Sequence, residues 1–385
     1  MTRWLHFAIF LSMVTAIYGG VHFYVYTRTV AMLGIKPGGL LWGVRALFVF
    51  LVLSFFLSRM LLSWQHNLVT RTFYWGVCLW MGFFLYLLLF DLATHALSGV
   101  LHVSGLWSRL GQWLGLDPSR FFFALTLAGA AVVSGYAIYE ARCEVAVTEL
   151  EIPVKTSSSA LDDFTIVQIS DVHLGVIVDQ HRMEQIVNQV NALHPDLVVI
   201  TGDLMDENAD RMLELADSIR QIKCPFGVFA VTGNHDYYAG AEQIIRHAAG
   251  LGVRYLTNEK VVLSNGLILY GINDPTAAEY GQESPPFEKI IGPEARQSPA
   301  VLFYHQPKQF EKAEALGVDL MLSGHTHKGQ IWPMSHISRL IYPFQTGHYA
   351  RGRSHLYVSR GIGTWGPPMR LASRPEIVRI RLRAV

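Results

Sequence analysis

Carboxylates are almost missing from the first third of this chain. Between Met1 and Arg120 only Asp91 and Asp117 carry one. Charged residues make up 16% of the sequence, against about 25% in an ordinary soluble protein. Some part of the chain therefore avoids water, and the acid-poor third is that part. An excess of one sign is missing too. The 31 Lys and Arg balance 30 Asp and Glu, so the basic footprint of a nucleic-acid binder is absent and no nucleic-acid partner is expected. Cysteine is scarce: Cys78 sits in an apolar run, while Cys143 and Cys224 stand alone. No disulfide framework is encoded, which leans the catalytic part toward a reducing, cytoplasmic side. Nothing in the sequence specifies an oligomer.

Four apolar runs fill the first third, at about 4–27, 38–62, 73–97 and 119–140. Each is close to the ~20 residues that a helix needs to cross a bilayer. Aromatics crowd their ends, among them Trp4, Tyr26, Trp64, Trp75, Tyr136 and Tyr139, as at a membrane interface. A cleaved signal peptide accounts for one such run, not four. A water-soluble bundle needs polar faces that these runs lack. The expectation is an all-α transmembrane bundle of four helices over 1–141, multi-pass in the cell membrane and in contact with membrane lipids. Arg45, near the start of the second run, is expected to snorkel to the interface, with a lipid phosphate as the alternative partner. If the N-terminus is inside, Arg3, Arg59, Arg71 and Arg142 face the cytoplasm, and Arg28, Lys36, Arg109 and Arg120 face out. That balance does not orient the chain.

Composition changes near Glu140. Residues 144–155 read as a strand. Short β-branched or aliphatic runs at 164–169, 196–201, 227–232, 300–304 and 319–323 then alternate with helical spacing at 181–193, 209–222, 241–251 and 307–316. This order argues for an α/β domain over 142–385. The tail offers strands at 329–332, 354–359 and 376–382 without helices between them, and a second sheet would absorb them.

Five segments follow these strands in a fixed order: Asp171-Val172-His173, Gly202-Asp203, Gly233-Asn234-His235-Asp236, His305, and Gly324-His325-Thr326-His327. Open α/β sheets place their ligands at the carboxyl ends of strands. On an extended segment Asp171 and His173 would point the same way, and a carboxylate such as Asp203 has two oxygens with which to bridge two ions. Asn234 adds a neutral carbonyl oxygen. His325 and His327 reach the same region but can serve different ions. Taken singly, His305 also reads as a core histidine and Asp203 as a turn or cap residue. The conjunction of all five segments favours a binuclear metal site. Oxygen and imidazole donors suit Mn, Fe or Zn better than Ca or Mg alone. Two such divalent metal ions activate water and clamp a phosphoryl group. His235 is then a surplus imidazole placed to protonate a departing alkoxide, with Asp236 expected to fix its tautomer.

These residues resemble the signature of the calcineurin-like metallophosphoesterase superfamily: Asp-x-His, Gly-Asp, Gly-Asn-His-Asp, His, Gly-His-x-His. The resemblance covers roughly 143–385. It implies a four-layer α-β-β-α sandwich, with Asp171, His173, Asp203 and His327 on one ion. Asp203, Asn234, His305 and His325 would hold the other, and His235 would be the general acid. The stretches Gly202–Asp206 and Leu356–Gly366, with Arg370 shortly after, look like membrane-associated bacterial members of that superfamily. Arg360 and Arg370 are expected either to contact phosphate or to pair with carboxylates.

The expected activity is hydrolysis of a phosphodiester, phosphomonoester or pyrophosphate bond, with a lipid-linked substrate as one version. Alternatives are a UDP-2,3-diacylglucosamine pyrophosphatase and a non-catalytic membrane sensor that retains the metal fold. The segment 337–344 is apolar for a loop, and suits either a bilayer or acyl-chain contact or packing over the second sheet.

Overall fold

The computed structural model describes residues 3–156, 158–206 and 208–385, with side chains from residue 12 onward except residue 14. The chain divides into two compact units, Met1–Tyr136 with Gly366–Pro368, and Ala137–Trp365 with Met369–Val385.

Helices dominate the start of the chain: α1 (Arg3–Leu33), α2 (Gly39–Trp64), α3 (Leu68–Val103), α4 (Leu106–Leu114) and α5 (Pro118–Arg142). Among the described residues α2, α3 and α5 are long and apolar enough to cross a membrane. The first expected span falls within α1, and the side chains of its first residues lie outside the described ones. Besides the four helices over the expected spans, a short fifth, α4, stands between α3 and α5. Its sequence Leu-Trp-Ser-Arg-Leu-Gly-Gln-Trp-Leu alternates apolar and polar faces and is too short to span a bilayer. α3 also begins earlier than the apolar run suggests. Asn67 Oδ1 accepts the Thr70 N–H and Thr70 Oγ1 accepts the Asn67 N–H, both at 3.1 Å. That reciprocal cap satisfies donors otherwise left open at a helix start.

Several polar side chains in this unit are paired. Arg28 Nε lies 3.5 Å from the buried Asp91 carboxylate, and Thr94 Oγ1 lies 3.0 Å from Thr126 Oγ1. Arg45 donates from Nε to the Tyr26 hydroxyl at 2.9 Å and stacks over Trp42.

The second unit begins with β1 (Ala146–Val154), β2 (Thr165–Ile169), α6 (Gln180–Ala192), β3 (Leu197–Ile200), α7 (Met212–Leu215), β4 (Val228–Ala230), α8 (Asn234–Ala239), α9 (Ala241–Gly250) and β5 (Val253–Tyr255). Then come β6 (Glu259–Val262), β7 (Ile268–Gly271), β8 (Ala300–Phe303), α10 (Phe310–Leu316), β9 (Leu320–Ser323), α11 (Met334–Ile341), β10 (Gly347–Arg351), β11 (Ser354–Val358) and β12 (Glu376–Ala384). Two six-stranded sheets result, ordered β1-β12-β2-β3-β4-β5 and β10-β11-β9-β8-β7-β6.

The four-layer sandwich is present. Ile166, Val199 and Phe229 of the first sheet meet Leu269, Val301 and Leu322 of the second in one buried cluster. The first sheet's other face carries Val167 and Ile200 against Met183, Ile186 and Val190 of α6 and Ile244 of α9. Tyr270 and Leu302 turn the other way, onto Phe310 and Ala313 of α10. Strands buried on both faces read as unbroken apolar runs, and each buried Leu, Ile or Val contributes about 1.5–3 kcal/mol.

Two strand and helix expectations change. The stretch expected as a helix over 209–222 forms 3-10 turns around the single-turn α7. Asp217 and Ser218 interrupt it, residue types that favour turns over helix interiors. Of the tail, only β11 joins the second sheet with the hairpin strand β10. β12 inserts into the first sheet, parallel to β1 and antiparallel to β2. Residues 329–332 supply a single bridge, Ile331 to Leu371.

Candidate metal centre

β2, β3 and β4 of one sheet and β8 and β9 of the other end side by side. The loops that follow them, with the first residue of α8, carry all seven side chains expected to hold metal. Their donor atoms form a continuous series. Asp171 Oδ1 lies 3.3 Å from His327 Nε2, and His327 Nε2 lies 3.0 Å from His173 Nε2. His173 Nε2 is 3.8 Å from Asp203 Oδ2, which is 3.1 Å from His305 Nε2. His305 Nε2 is 3.2 Å from His325 Nδ1, and His325 Nδ1 is 2.8 Å from Asn234 Oδ1. Asp203 thus stands between an Asp171–His173–His327 group and a His305–His325 group.

Backbone geometry makes these approaches possible. Asp171, His173, Asp203, His325 and His327 all have positive φ, between 47° and 72°. Non-glycine residues rarely adopt that region, and such strain clusters where function requires it. The expectation of an extended Asp171-Val172-His173 segment is therefore corrected: two left-handed residues, not strand pleating, aim both side chains. Gly202, at φ 93°, is also required, since a Cβ there would come within 2.5 Å of His305 Nδ1. A Cβ on Gly233 would overlap Asp203 Oδ1.

Surrounding groups fix each donor. Ser170 Oγ and the His325 N–H both donate to Asp171. His305 Nδ1 donates to the Thr201 carbonyl at 2.7 Å, which leaves Nε2 as the free donor toward Asp203. His325 Nε2 lies 2.7 Å from the Tyr342 hydroxyl. Such outer contacts set the tautomer and ring orientation of ligating histidines.

Asp236 does not serve His235. Its carboxylate accepts four backbone N–H groups, those of Asp203, Leu204, Met205 and Gly233, at 2.8–3.2 Å. It therefore ties the Gly202–Asp203 loop to the start of α8. Burial first, then the neighbouring Asp203, push it up to about 6. The partner of His235 is Asp206, whose Oδ1 lies 2.8 Å from His235 Nδ1 and 3.3 Å from His173 Nδ1. The sequence signal for Asp206 is a second carboxylate three residues after Asp203, followed by no apolar helix. Tyr342 carried no signal of its own beyond its apolar surroundings.

The two arginines expected as phosphate contacts are committed elsewhere. Arg370 is fully buried and donates to the carbonyls of Gly363, Arg360 and Ser373, while its Nη2 faces His327 Nδ1 at 3.1 Å. Arg360 pairs with Glu376 at 2.5 Å. Loss of solvent leaves a buried guanidinium dependent on such partners.

Electrostatics suit a cation. Burial alone would raise Asp171, but His327, His305 and His173 outweigh it and hold it well below the usual aspartate range. Asp206 is also held low: its burial is outweighed by the hydrogen bonds from His173 and His235. Burial lowers His325 to about 3, and lowers His327 to about 4 against the pull of Asp171. Neutral imidazoles beside ionised carboxylates are the protonation states that metal binding requires. His305 is the exception. Its burial is outweighed by Asp203, so it is raised well above the usual histidine range. A proton there takes the place of positive charge that the carboxylates demand. Nitrogen atoms 3.0 and 3.2 Å apart likewise need a proton or a cation between them. The donor set thus fits divalent metal.

A family model for calcineurin-like phosphoesterases matches residues 164–329, a span that includes all seven donors. A zebrafish protein named transmembrane protein with metallophosphoesterase domain is 34% identical over 305 residues, covering 74% of this chain and 70% of its own length. An uncharacterized metallophosphoesterase of Campylobacter jejuni is 28% identical over 388 residues, covering 98% and 99%. One from Helicobacter pylori is 36% identical over 222 residues, covering 57% of this chain and 60% of its own. With the site and the sandwich as described, this chain belongs to the calcineurin-like metallophosphoesterases, a family of metal-dependent hydrolases.

Proposed function

We propose that this protein is a membrane-anchored phosphoesterase with two divalent ions, Mn, Fe or Zn, in its catalytic unit. Residues 1–141 would form the membrane domain and 142–385 the catalytic domain. The supporting observation is the central position of Asp203 Oδ2, within 3.8 Å of His173 Nε2 and 3.1 Å of His305 Nε2. Asp171, His173 and His327 would hold one ion and Asn234, His305 and His325 the other, with Asp203 shared. When bound, such a pair polarises the phosphoryl oxygen and lowers the pKa of water near neutral pH.

The chain's own groups do the rest. Asp206 anchors His235 through Nδ1 and leaves Nε2 for the leaving group. Burial lowers His235, but the hydrogen bond it donates to Asp206 and the charge of Asp203 outweigh this, so its affinity for a proton is raised. A protonated imidazole at that position gives its Nε2 proton to the departing alkoxide. Tyr238 and Trp365 flank the His235 ring at 5.3 and 5.9 Å between centroids. The substrate is a phosphodiester, phosphomonoester or pyrophosphate, with lipid-linked esters the class to test first.

The test uses a chromogenic phosphodiester with Mn²⁺, with and without chelator, on wild type and Asp203→Asn. The variant should lose both ions by elemental analysis, and its turnover should fall to that of chelated wild type. Full activity in the variant, or wild-type turnover indifferent to chelator, would refute the reading.

A further inference from the structure

Immediately after the metal-site loop, α11 stands with no buried residue. Leu340 is 87% exposed, Ile341 62% and Ile337 50%, and Trp332 just before the helix is 47% exposed. Of the segment expected to pack over the second sheet, Phe344 does so, against Phe310 and Tyr349, whereas Ile337, Leu340 and Ile341 are left uncovered. Soluble surfaces rarely present such a patch without a partner.

The segment is not loose. Gln345 Nε2 donates to the Ser335 carbonyl at 2.6 Å, and Thr326 Oγ1 donates to the Gln345 carbonyl at 2.5 Å. Tyr342, at its carboxyl end, meets His325. Its charge is one-sided as well. From Leu320 to Pro375 the chain has seven Lys and Arg and no Asp or Glu. Arg339, exposed on α11 itself, has no hydrogen bond or ion pair among the described residues.

We propose that α11 and its flanks dock on an anionic lipid bilayer surface. Apolar side chains beside an unpaired cation, here Arg339, are what an interfacial helix presents to lipid, and tryptophan favours the headgroup level. Arg339 would meet lipid phosphate, an attraction set by the negative surface potential. A second copy of this chain docked through the same helix would bring Arg339 against Arg339, whereas Arg351, Arg353 and Arg360 of this stretch are already paired with carboxylates. A side chain as exposed as Leu340 offers no cleft for a single acyl chain. A bilayer is at hand, since among the described residues three helices are long and apolar enough to cross one. Docking would hold the Tyr342–His325 end of the site at headgroup level. That consequence rests on the metal reading above, whereas the docking does not.

The experiment places a benzophenone amino acid at Leu340 in the full chain, in nanodiscs of zwitterionic lipid with or without phosphatidylglycerol. Val262, also exposed, carries the label as control, and Ile337 carries it as a second position should the first disturb the fold. Thermal melting confirms folding without reference to turnover, so a chain inactive on every ester still tests the docking. Lipid adducts at 340 or 337 should exceed those at 262 at least fivefold, increase with phosphatidylglycerol, and fall by half or more in Arg339→Glu. Adducts no more abundant than at 262, or adducts to another protein or a second copy, would overturn the proposal.

Discussion

The two carboxylates near His235 are separable by experiment, because they do different physical work. Asp206 and Asp236 are each replaced by asparagine, which preserves shape and removes charge. In Asp236→Asn the damage is structural. One oxygen of Asp236 accepts from Leu204 and Met205, and the other from Asp203 and Gly233. An asparagine must turn its NH₂ toward one of those pairs, leaving two buried N–H groups unsatisfied at about 1–3 kcal/mol each. The sum, about 2–6 kcal/mol, is a large share of the ~5–15 kcal/mol of a typical domain. In Asp206→Asn the amide oxygen can still accept from one imidazole, so the melting temperature should change little. What is lost is the charge that favours protonated His235. General acid catalysis contributes roughly 10²–10⁴-fold, and a p-nitrophenolate leaving group needs little of it. Asp206→Asn should therefore slow an alkyl phosphodiester about 100-fold and a p-nitrophenyl ester only a few-fold, with metal content matched by elemental analysis. Its basic pH limb should move to lower pH, because a protonated His235 is required and its affinity for the proton falls. Equal losses on both esters, or a stable Asp236→Asn with the leaving-group effect instead, would show that the assignment of partners is wrong.

Two further outcomes follow from contacts that the sequence did not announce. Tyr342→Phe removes the acceptor of His325 Nε2, and loss of such an outer contact costs about 10–100-fold in metal affinity. Competition with a chelator should show one ion weakened and the other retained, and two unchanged affinities would count against the contact. Asp319 is buried behind β8, hydrogen-bonded to the Ala300 N–H, and burial pushes it up to about 6. A carboxyl raised on folding adds stability below its unfolded pKa and loses it as pH rises through the folded one. Wild type should therefore lose up to about 3 kcal/mol at this residue between pH 4 and 7. Asp319→Asn should lack that step, and identical melting profiles for the two would refute it.

Much of the site was legible because its candidate metal donors are local in type and follow strands. Asp171, His173, Asp203, Asn234, His305, His325 and His327 each sit one or a few residues past an apolar run, and strand ends converge in any sheet built this way. An α/β domain with a second sheet was legible from the β-α alternation, and its four layers from the resemblance alone. Partnerships between side chains were not. Asp236 neighbours His235 in the chain, yet a helix start turns it toward the backbone of residues 203–205. Asp206, 29 positions away, reaches the imidazole instead. The same holds for Arg370, whose burial beneath His327 depends on loops from both sheets.

What the sequence by itself determined was chemistry and order: which donors exist, which runs avoid water, and which segments follow strands. Tertiary structure alone decided which donors face each other, which carboxylate holds His235, where β12 inserts, and that α11 stays uncovered. The physical reason is that ligand type and hydrophobic period are properties of short segments. Pairing across 29 to 154 residues depends on backbone conformations, such as the left-handed turns at Asp171, His173 and Asp203, that only the assembled sheets stabilise.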